Sequence, residues 1–411
     1  MERRAARRWT LVVAAALIVN VSYGCIFYSF SVLLGEAAAA AEFSRTTLSA
    51  ALGLGLIVSG LLAPPVGALC DASGPKRIFL AGAFLGGLGL ALFSMAQASW
   101  QVIVIWAALL GPAMACAFYE PAYVAVDQWF DEARGKAIGI LTLVAGLSSV
   151  VFIPLTQYLV GGFGWRATVL LLAGLMLFGV AFLALFFVRD RPRGGADLEG
   201  TNPRAVYRAM VEGARRADRV FWLISAAFFL GLAGTFGMLF HQLAYLQSLG
   251  FSASRVAAVV GVAGLAGLPA RFLLPALADR VRPAFVAAIV FGLLGTAGFV
   301  LLGASGWWRV YVYAGIFGAA FGSALPMRAL MMAGRFSGEA YGRLMGLQQT
   351  MMALAMAGGP FLVGAASEVS GGYSAAWLGA AVVVLLAVPL VFAAGARIPA
   401  PGDTYGKENQ A

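Results

Sequence analysis

The sequence predicts an all-α, polytopic membrane protein with twelve transmembrane helices in two pseudo-symmetric six-helix bundles. Three observations predict it. Hydrophobic residues make up 61% of the chain and charged residues 11%, against roughly 45–50% and about 25% in soluble domains. The apolar residues fall into runs of about 20 or more, each long enough to cross a hydrocarbon core of about 30 Å. The chain also repeats itself at one constant spacing, about half its own length: the run from Phe43 to Asp71 is matched by Phe251 to Asp279, Trp100 by Trp308, and Glu120 by Arg328. Beyond these the register slips by a residue, with Arg134-Gly135-Lys136 matching Tyr341-Gly342-Arg343 and Gly139 matching Gly346. Landmarks as rare as Trp and Asp in near-constant register mark two copies of one unit.

In order, the first copy holds apolar runs at 9–34, 46–69, 78–97, 100–128, 137–160 and 166–188. The second holds runs at 220–247, 254–278, 284–303, 309–333, 344–367 and 374–395. The start, MERRAARR, resembles the head of a signal peptide, but the apolar run behind it exceeds the 7–15 residues or so of such a segment and reads as an uncleaved first span. Basic residues set the orientation. One set of loops carries Arg3, Arg4, Arg7, Arg8, Lys76, Arg77, Arg134, Lys136, eight arginines from Arg189 to Arg219, Arg280, Arg282, Arg335, Arg343, Arg397 and Lys407. The opposite set carries Arg45, Arg166, Arg255 and Arg309. A multi-pass protein of the plasma (inner) membrane, with both termini and the middle loop cytoplasmic, is expected.

The expected domains are an N-terminal bundle at 1–190, a cytoplasmic linker at 191–219, a C-terminal bundle at 220–396 and a cytoplasmic tail at 397–411. Within the linker, Asn202-Pro203 reads as a helix cap and first turn. Val206, Met210 and Val211 follow at helical spacing between arginines, as in a short amphipathic helix on the inner membrane surface. Pro64-Pro65, Pro121, Pro269, Pro275 and Pro326 fall inside spans and are expected to kink them.

Composition excludes several function classes. The net charge of +10 lies in connecting segments, so it reports topology and not a nucleic-acid partner. Cys25, Cys70 and Cys116 all lie in or beside apolar runs and are odd in number, which argues against a disulfide framework. With one histidine and dispersed cysteines there is no metal-ligand set, no cofactor is implied, and no nucleophile stands beside a base.

The stretch Gly67-Ala-Leu-Cys-Asp71-Ala-Ser-Gly74-Pro-Lys76-Arg77 resembles the loop motif of the major facilitator superfamily of transporters. An acid at a helix end is expected to pair with basic residues across a tight glycine turn and latch the cytoplasmic helix ends. Asp71, Lys76 and Arg77 are the gating candidates, with Asp279 and Arg280 in the second copy. Ala72 and Pro75 replace basic residues usual in that family, and Pro275 stands where the first copy has Gly67. Further stretches resemble the bacterial monocarboxylate porter and oxalate/formate exchanger branch: Tyr28-Ser-Phe-Ser31, Trp129-Phe-Asp-Glu-Ala-Arg-Gly-Lys136, Gly164-Trp-Arg166, His241-Gln-Leu-Ala-Tyr-Leu246 and Leu268-Pro-Ala-Arg271. That resemblance implies that Arg271, in the eighth span, binds the substrate carboxylate. Asn20-Val-Ser-Tyr23-Gly24-Cys25 replaces the acidic, tryptophan-bearing motif of eukaryotic members. Gly267 stands where animal members carry an acid, and 344–367 lacks the basic residue of oxalate exchangers, which disfavours a dicarboxylate.

Depth in the membrane singles out the same residues. Arg271 lies eight residues before Asp279, about 12 Å along a helix, where burying a charge costs roughly 2.5–3.5 kcal/mol even on insertion scales. Its planar fork suits a carboxylate; the other reading is an ion pair between helices. Glu120 and Arg328 occupy equivalent places in the two copies. They are read as a proton site and a second anion contact, as a salt bridge that opens and closes, or as a permanent bridge. His241, with Tyr245 one turn on, suits a proton relay or a bond to a backbone carbonyl. Asn20, Tyr23 and Phe27 share one helix face, and Tyr119 and Tyr123 another, as a wall for a substrate with apolar bulk.

The expected function is secondary active transport of a small organic anion of the monocarboxylate class, with a proton, by alternating access; the protein is expected to work as a monomer in the lipid bilayer. The alternative is a proton-driven exporter of drugs, or a carrier of a neutral aromatic metabolite such as a vitamin. An enzyme is not expected.

Overall fold

The computed structural model describes residues 2–30, 32–33, 42–43, 45–130, 132–190, 218–336 and 341–397. Among them the regular structure is entirely helical. The linker helix expected near 202–211 and the tail beyond 397 lie outside the described residues.

The first copy comprises α1 (Glu2–Ser22), α2 (Arg45–Ser73), α3 (Pro75–Met95), α4 (Ser99–Ile105), α5 (Gly111–Ala117), α6 (Tyr119–Trp129), α7 (Arg134–Gly146), α8 (Ser148–Gly174) and α9 (Val180–Phe187). The second comprises α10 (Arg219–Ser248), α11 (Ala253–Leu277), α12 (Pro283–Leu301), α13 (Trp307–Phe321), α14 (Ala324–Phe336), α15 (Tyr341–Val369) and α16 (Tyr373–Gly395). Among the described residues, ten helical stretches are long and apolar enough to cross a membrane. One of them, Arg134–Phe187, is 54 residues long, more than twice what a core of about 30 Å needs. It reverses at Gly164, whose φ of 77° and ψ of 165° lie where a side chain is disfavoured, so it makes two crossings. The 25-residue α11 completes the twelve predicted from the sequence.

The helices group into two compact units. The first is built from residues 1–131, 140–212 and 337–350; the second is built from 132–139, 213–336 and 351–411. Small residues bring helices together within each unit. In the first, a Cβ on Gly111 would sit 2.9 Å from the carbonyl of Gly55. In the second, α16 packs along α10 and α12. There Trp377 donates from Nε1 to Gly298 O at 2.9 Å and stacks on Tyr245 with ring centroids 4.6 Å apart. Phe84, Phe178, Phe186 and Phe361 are exposed, as side chains against lipid should be.

The prolines divide into two kinds. Pro64, Pro65, Pro269 and Pro275 lie inside α2 and α11. Pro121 and Pro326 do not kink a running helix, contrary to expectation: each is the third residue of a new one, α6 and α14. In a first turn the missing N–H has no intrahelical acceptor to lose. The fourth crossing therefore breaks at Phe118 (φ −88°, ψ −154°), and the tenth breaks at Gly322-Ser323, between α13 and α14.

Candidate functional site

In the first unit, α1 ends in a π-helical turn, Tyr23–Tyr28. Ser29 feeds its hydroxyl back to the carbonyls of Gly24 and of Cys25, the latter at 3.0 Å, a back-bond that bends helices. Gly24 lies directly on the Phe152 ring, where any Cβ would overlap it. The turn sets Tyr23 flat on Phe118, the break residue of the fourth crossing, with centroids 3.8 Å apart. Tyr119 lies 5.2 Å from Tyr23, Phe27 6.0 Å from it, and Tyr119 stacks on Tyr123 at 5.7 Å. Glu120 stands in the first turn of α6, so its carboxylate shares a partly exposed aromatic wall.

Two further members of the predicted wall are buried. Asn20 is buried; its Nδ2 donates to Val144 O at 2.8 Å, and its own carbonyl accepts from the Ser148 hydroxyl at 2.6 Å. It ties α1 to α7 and α8, a buried amide donating to a nearby carbonyl. Tyr123 is 1% exposed and backs the ring of Tyr119.

The second unit contains Arg271, Arg328 and His241. Arg271 is half-buried on α11, against Gly322 at the break between α13 and α14. Arg328, in the second turn of α14, is 1% exposed. His241 bonds through Nε2 to the carbonyl of Pro360 at 2.9 Å and lies 5.6 Å from the Tyr373 ring. The carbonyl bond was the second of its two sequence readings. Arg271, Arg328 and His241 occupy three different helices. A buried pair unforeseen from the sequence, Tyr313 donating to Gln242 Oε1 at 2.9 Å, satisfies two polar side chains inside the unit.

The helix-end latches take an unexpected form. Asp71 does not pair with Lys76 or Arg77. Its two carboxylate oxygens accept the backbone N–H groups of Gly342 and Arg343, each at 2.9 Å. It thus caps the N-terminus of α15, where unsatisfied N–H groups and the helix dipole favour an anion. Gly67 packs on the carbonyl of Gly342, and Gly346 packs on that of Ala63, so no side chain holds the helices apart. Lys76 is committed elsewhere: Nζ donates to Leu185 O at 2.8 Å. Its N–H donates to Asp190 at 2.9 Å, an acid that caps α3 beside Gly74 (φ 82°). Arg77 is exposed.

Asp279 repeats the device in the second unit. Its Oδ1 accepts from Gly135 N at 2.6 Å and its Oδ2 from Lys136 N at 2.9 Å, capping α7. Pro275, in the place of Gly67, meets Gly135 through its carbonyl, and Arg280 is exposed. Burial raises the pKa of Asp279 above the ordinary carboxylate value, against the lowering effect of those two N–H groups. Asp190 is raised by burial as well. Asp218, which caps α10 and holds Arg335 at 2.7 Å, is lowered, first by the Arg335 hydrogen bond.

The comparisons agree with this architecture. The profile described as Major Facilitator Superfamily matches residues 15–314. Monocarboxylate transporter 13 of Rattus norvegicus is 28% identical over 277 residues, which are 66% of this chain and 61% of that protein; the chain thus matches less than two thirds of that relative's length. Monocarboxylate transporter 11 of Mus musculus is 28% identical over 381 residues, 90% of this chain and 83% of that protein. Among solved structures, the human organic anion transporter MFSD10 (TETRAN) superposes with a TM-score of 0.74 at 16% identity, covering 94% of this chain and 99% of that one. The transporter FucP in its outward conformation superposes with a TM-score of 0.71 at 14% identity, covering 95% and 98%. At such identities the structures speak for the fold alone.

Proposed function

We propose that this chain, which belongs to the Major Facilitator Superfamily, moves a small organic monoanion of the monocarboxylate class across the plasma (inner) membrane by alternating access, together with a proton. Membership makes it a multi-pass membrane transporter of small molecules and not an enzyme. The observation that carries the finer reading is Arg271, a permanent cation half-buried in the eighth crossing. An arginine held at that depth is stabilised by an anionic partner, and its fork matches both oxygens of a carboxylate. The two relatives named as monocarboxylate transporters support the same class. Arg328 serves as a second basic contact in this reading, and Tyr23 and Tyr119 accept the apolar part of the substrate. Glu120 takes up the proton. His241 contributes through the ring nitrogen not bonded to Pro360. The arginine-rich loops support cytoplasmic termini.

The aromatic wall of Tyr23, Phe27, Phe118 and Tyr119 favours a second reading, a carrier or proton-driven exporter of a neutral aromatic compound. A thermal-shift screen of the purified protein separates the two. Stabilisation by pyruvate, lactate or benzoate that disappears in Arg271→Ala supports the anion carrier. Stabilisation by neutral aromatics alone, unchanged in Arg271→Ala, overturns it in favour of the second reading.

A further inference from the structure

The break in the tenth crossing does more than interrupt a helix. At Gly267 a Cβ would lie 2.5 Å from the carbonyl of Gly318, so the backbones of α11 and α13 touch one turn before Arg271. One turn on, the Ser323 hydroxyl donates to Ala270 O at 2.8 Å, fastening the break to the residue immediately before Arg271. Between these two fixed points lies Gly322. A Cβ there would sit 2.6 Å from Cγ and 2.7 Å from Nε of Arg271, and 3.1 Å from the carbonyl of Gly267. The stem of Arg271 therefore runs across the bare face of Gly322, and its Nε is shielded from solvent. An arginine stem has several rotamers of similar energy, and confining it costs conformational entropy. Packing against Gly322 meets that cost before any ligand arrives.

We propose that Gly322, with Ser323, is a positioning residue: it is the space left by the missing side chain that directs the Arg271 guanidinium toward a substrate carboxylate. The proposal rests on the anion reading of Arg271 and adds what aims it. Alanine at 322 must push the stem into another rotamer, since the third neighbour, the Gly267 carbonyl, belongs to backbone already in contact with Gly318. A guanidinium aimed elsewhere forfeits at least one charge-assisted hydrogen bond to the carboxylate, about tenfold in affinity.

The test is a thermal-shift cycle on the full-length purified protein, with and without pyruvate, lactate and benzoate, using Gly322→Ala, Arg271→Ala, the double variant, and Gly315→Ala as control. Gly315 lies on α13 with nothing within 4 Å of its added Cβ. Gly322→Ala should lower the ligand-free midpoint and weaken the carboxylate by about tenfold or more, while Gly315→Ala changes neither. In the double variant, truncating the arginine should relieve the overlap and recover part of the lost midpoint. A full carboxylate response in Gly322→Ala overturns the proposal, as does a cost that Arg271→Ala leaves untouched. If Gly322→Ala does not fold, folding of the double variant supports the proposal and its failure overturns it. A parent protein that no carboxylate stabilises removes the anion reading, while the ligand-free half of the cycle still decides whether Gly322 places Arg271.

Discussion

The fourth crossing breaks at Phe118 and the tenth at Gly322-Ser323, and what stands beside the two breaks is of opposite character. Beside Phe118 the first unit gathers Tyr23, Phe27, Tyr119 and the carboxylate of Glu120. Beside Gly322-Ser323 the second unit has Arg271, with Arg328 a turn further along α14. Both helices restart with a proline in the third position, where a first turn tolerates it, while the side chains beside them have parted. In the proposed function Glu120 takes the proton and Arg271 the carboxylate.

The largest expected effect tests that division directly. Arg271→Lys should weaken carboxylate binding by about tenfold or more, because an ammonium cannot reproduce a two-pronged contact, and uptake of labelled substrate should fall with it. Tyr119→Phe, which keeps the ring, should leave uptake within about twofold of the parent, since in the proposed function it is the ring that meets the apolar part of the substrate. Parental transport by the lysine variant breaks the comparison.

Next in size come Glu120→Gln and Arg328→Gln, each expected to impair transport strongly if the proposed proton and anion roles hold. In proteoliposomes, Glu120→Gln should retain exchange down a gradient and lose accumulation against one if Glu120 carries the proton. Partial recovery by the swap Glu120→Arg with Arg328→Glu would instead make the two a gate. Accumulation at the parental level by both single variants removes both roles.

The caps sharpen the comparison further. Asp71 is 9% exposed and Asp279 is more open, yet each receives two backbone N–H groups. Asp71→Asn should cost about 1–3 kcal/mol, the range for a buried charge-assisted bond, and lower the thermal midpoint more than Asp279→Asn. Equal or reversed losses would show that burial is not what separates the two caps.

The smallest effect is expected at Asp218. Its carboxyl is held below the ordinary value by Arg335, so the stability it contributes is fully present above the ordinary carboxylate pKa and is lost as pH falls through the lowered one. Asp218→Asn should flatten the acid limb of the midpoint-against-pH curve slightly, with little change near neutrality. An unaltered acid limb would assign that pH dependence to other carboxylates.

The caps also show how far the sequence was legible. The repeat singled out every component: Asp71 and Asp279, Arg134-Gly135-Lys136, and Tyr341-Gly342-Arg343. It did not join them, because the partners are backbone N–H groups, which every residue carries and no side-chain pattern announces. The adjacent Lys76 and Arg77 offered the obvious ion pair, and Lys76 turned out to donate to Leu185 O. The bond from Asn20 to Val144 O was illegible for a related reason, since a polar residue in a span reads alike whether it faces a substrate or a carbonyl.

By itself the sequence determined that this is a twelve-crossing helical membrane protein made of two copies, and which few charges lie deep within it. Those properties follow from residue type and spacing: apolar runs must fill the hydrocarbon, and charges inside them are rare enough to stand out. Tertiary structure alone decided what each deep group touches. Gly322 is one of 52 glycines, and nothing in its neighbours along the chain marks it; only the packing of α11 on α13 sets it under Arg271. The significance of a missing side chain depends on what occupies its space, and that is a fact of three dimensions.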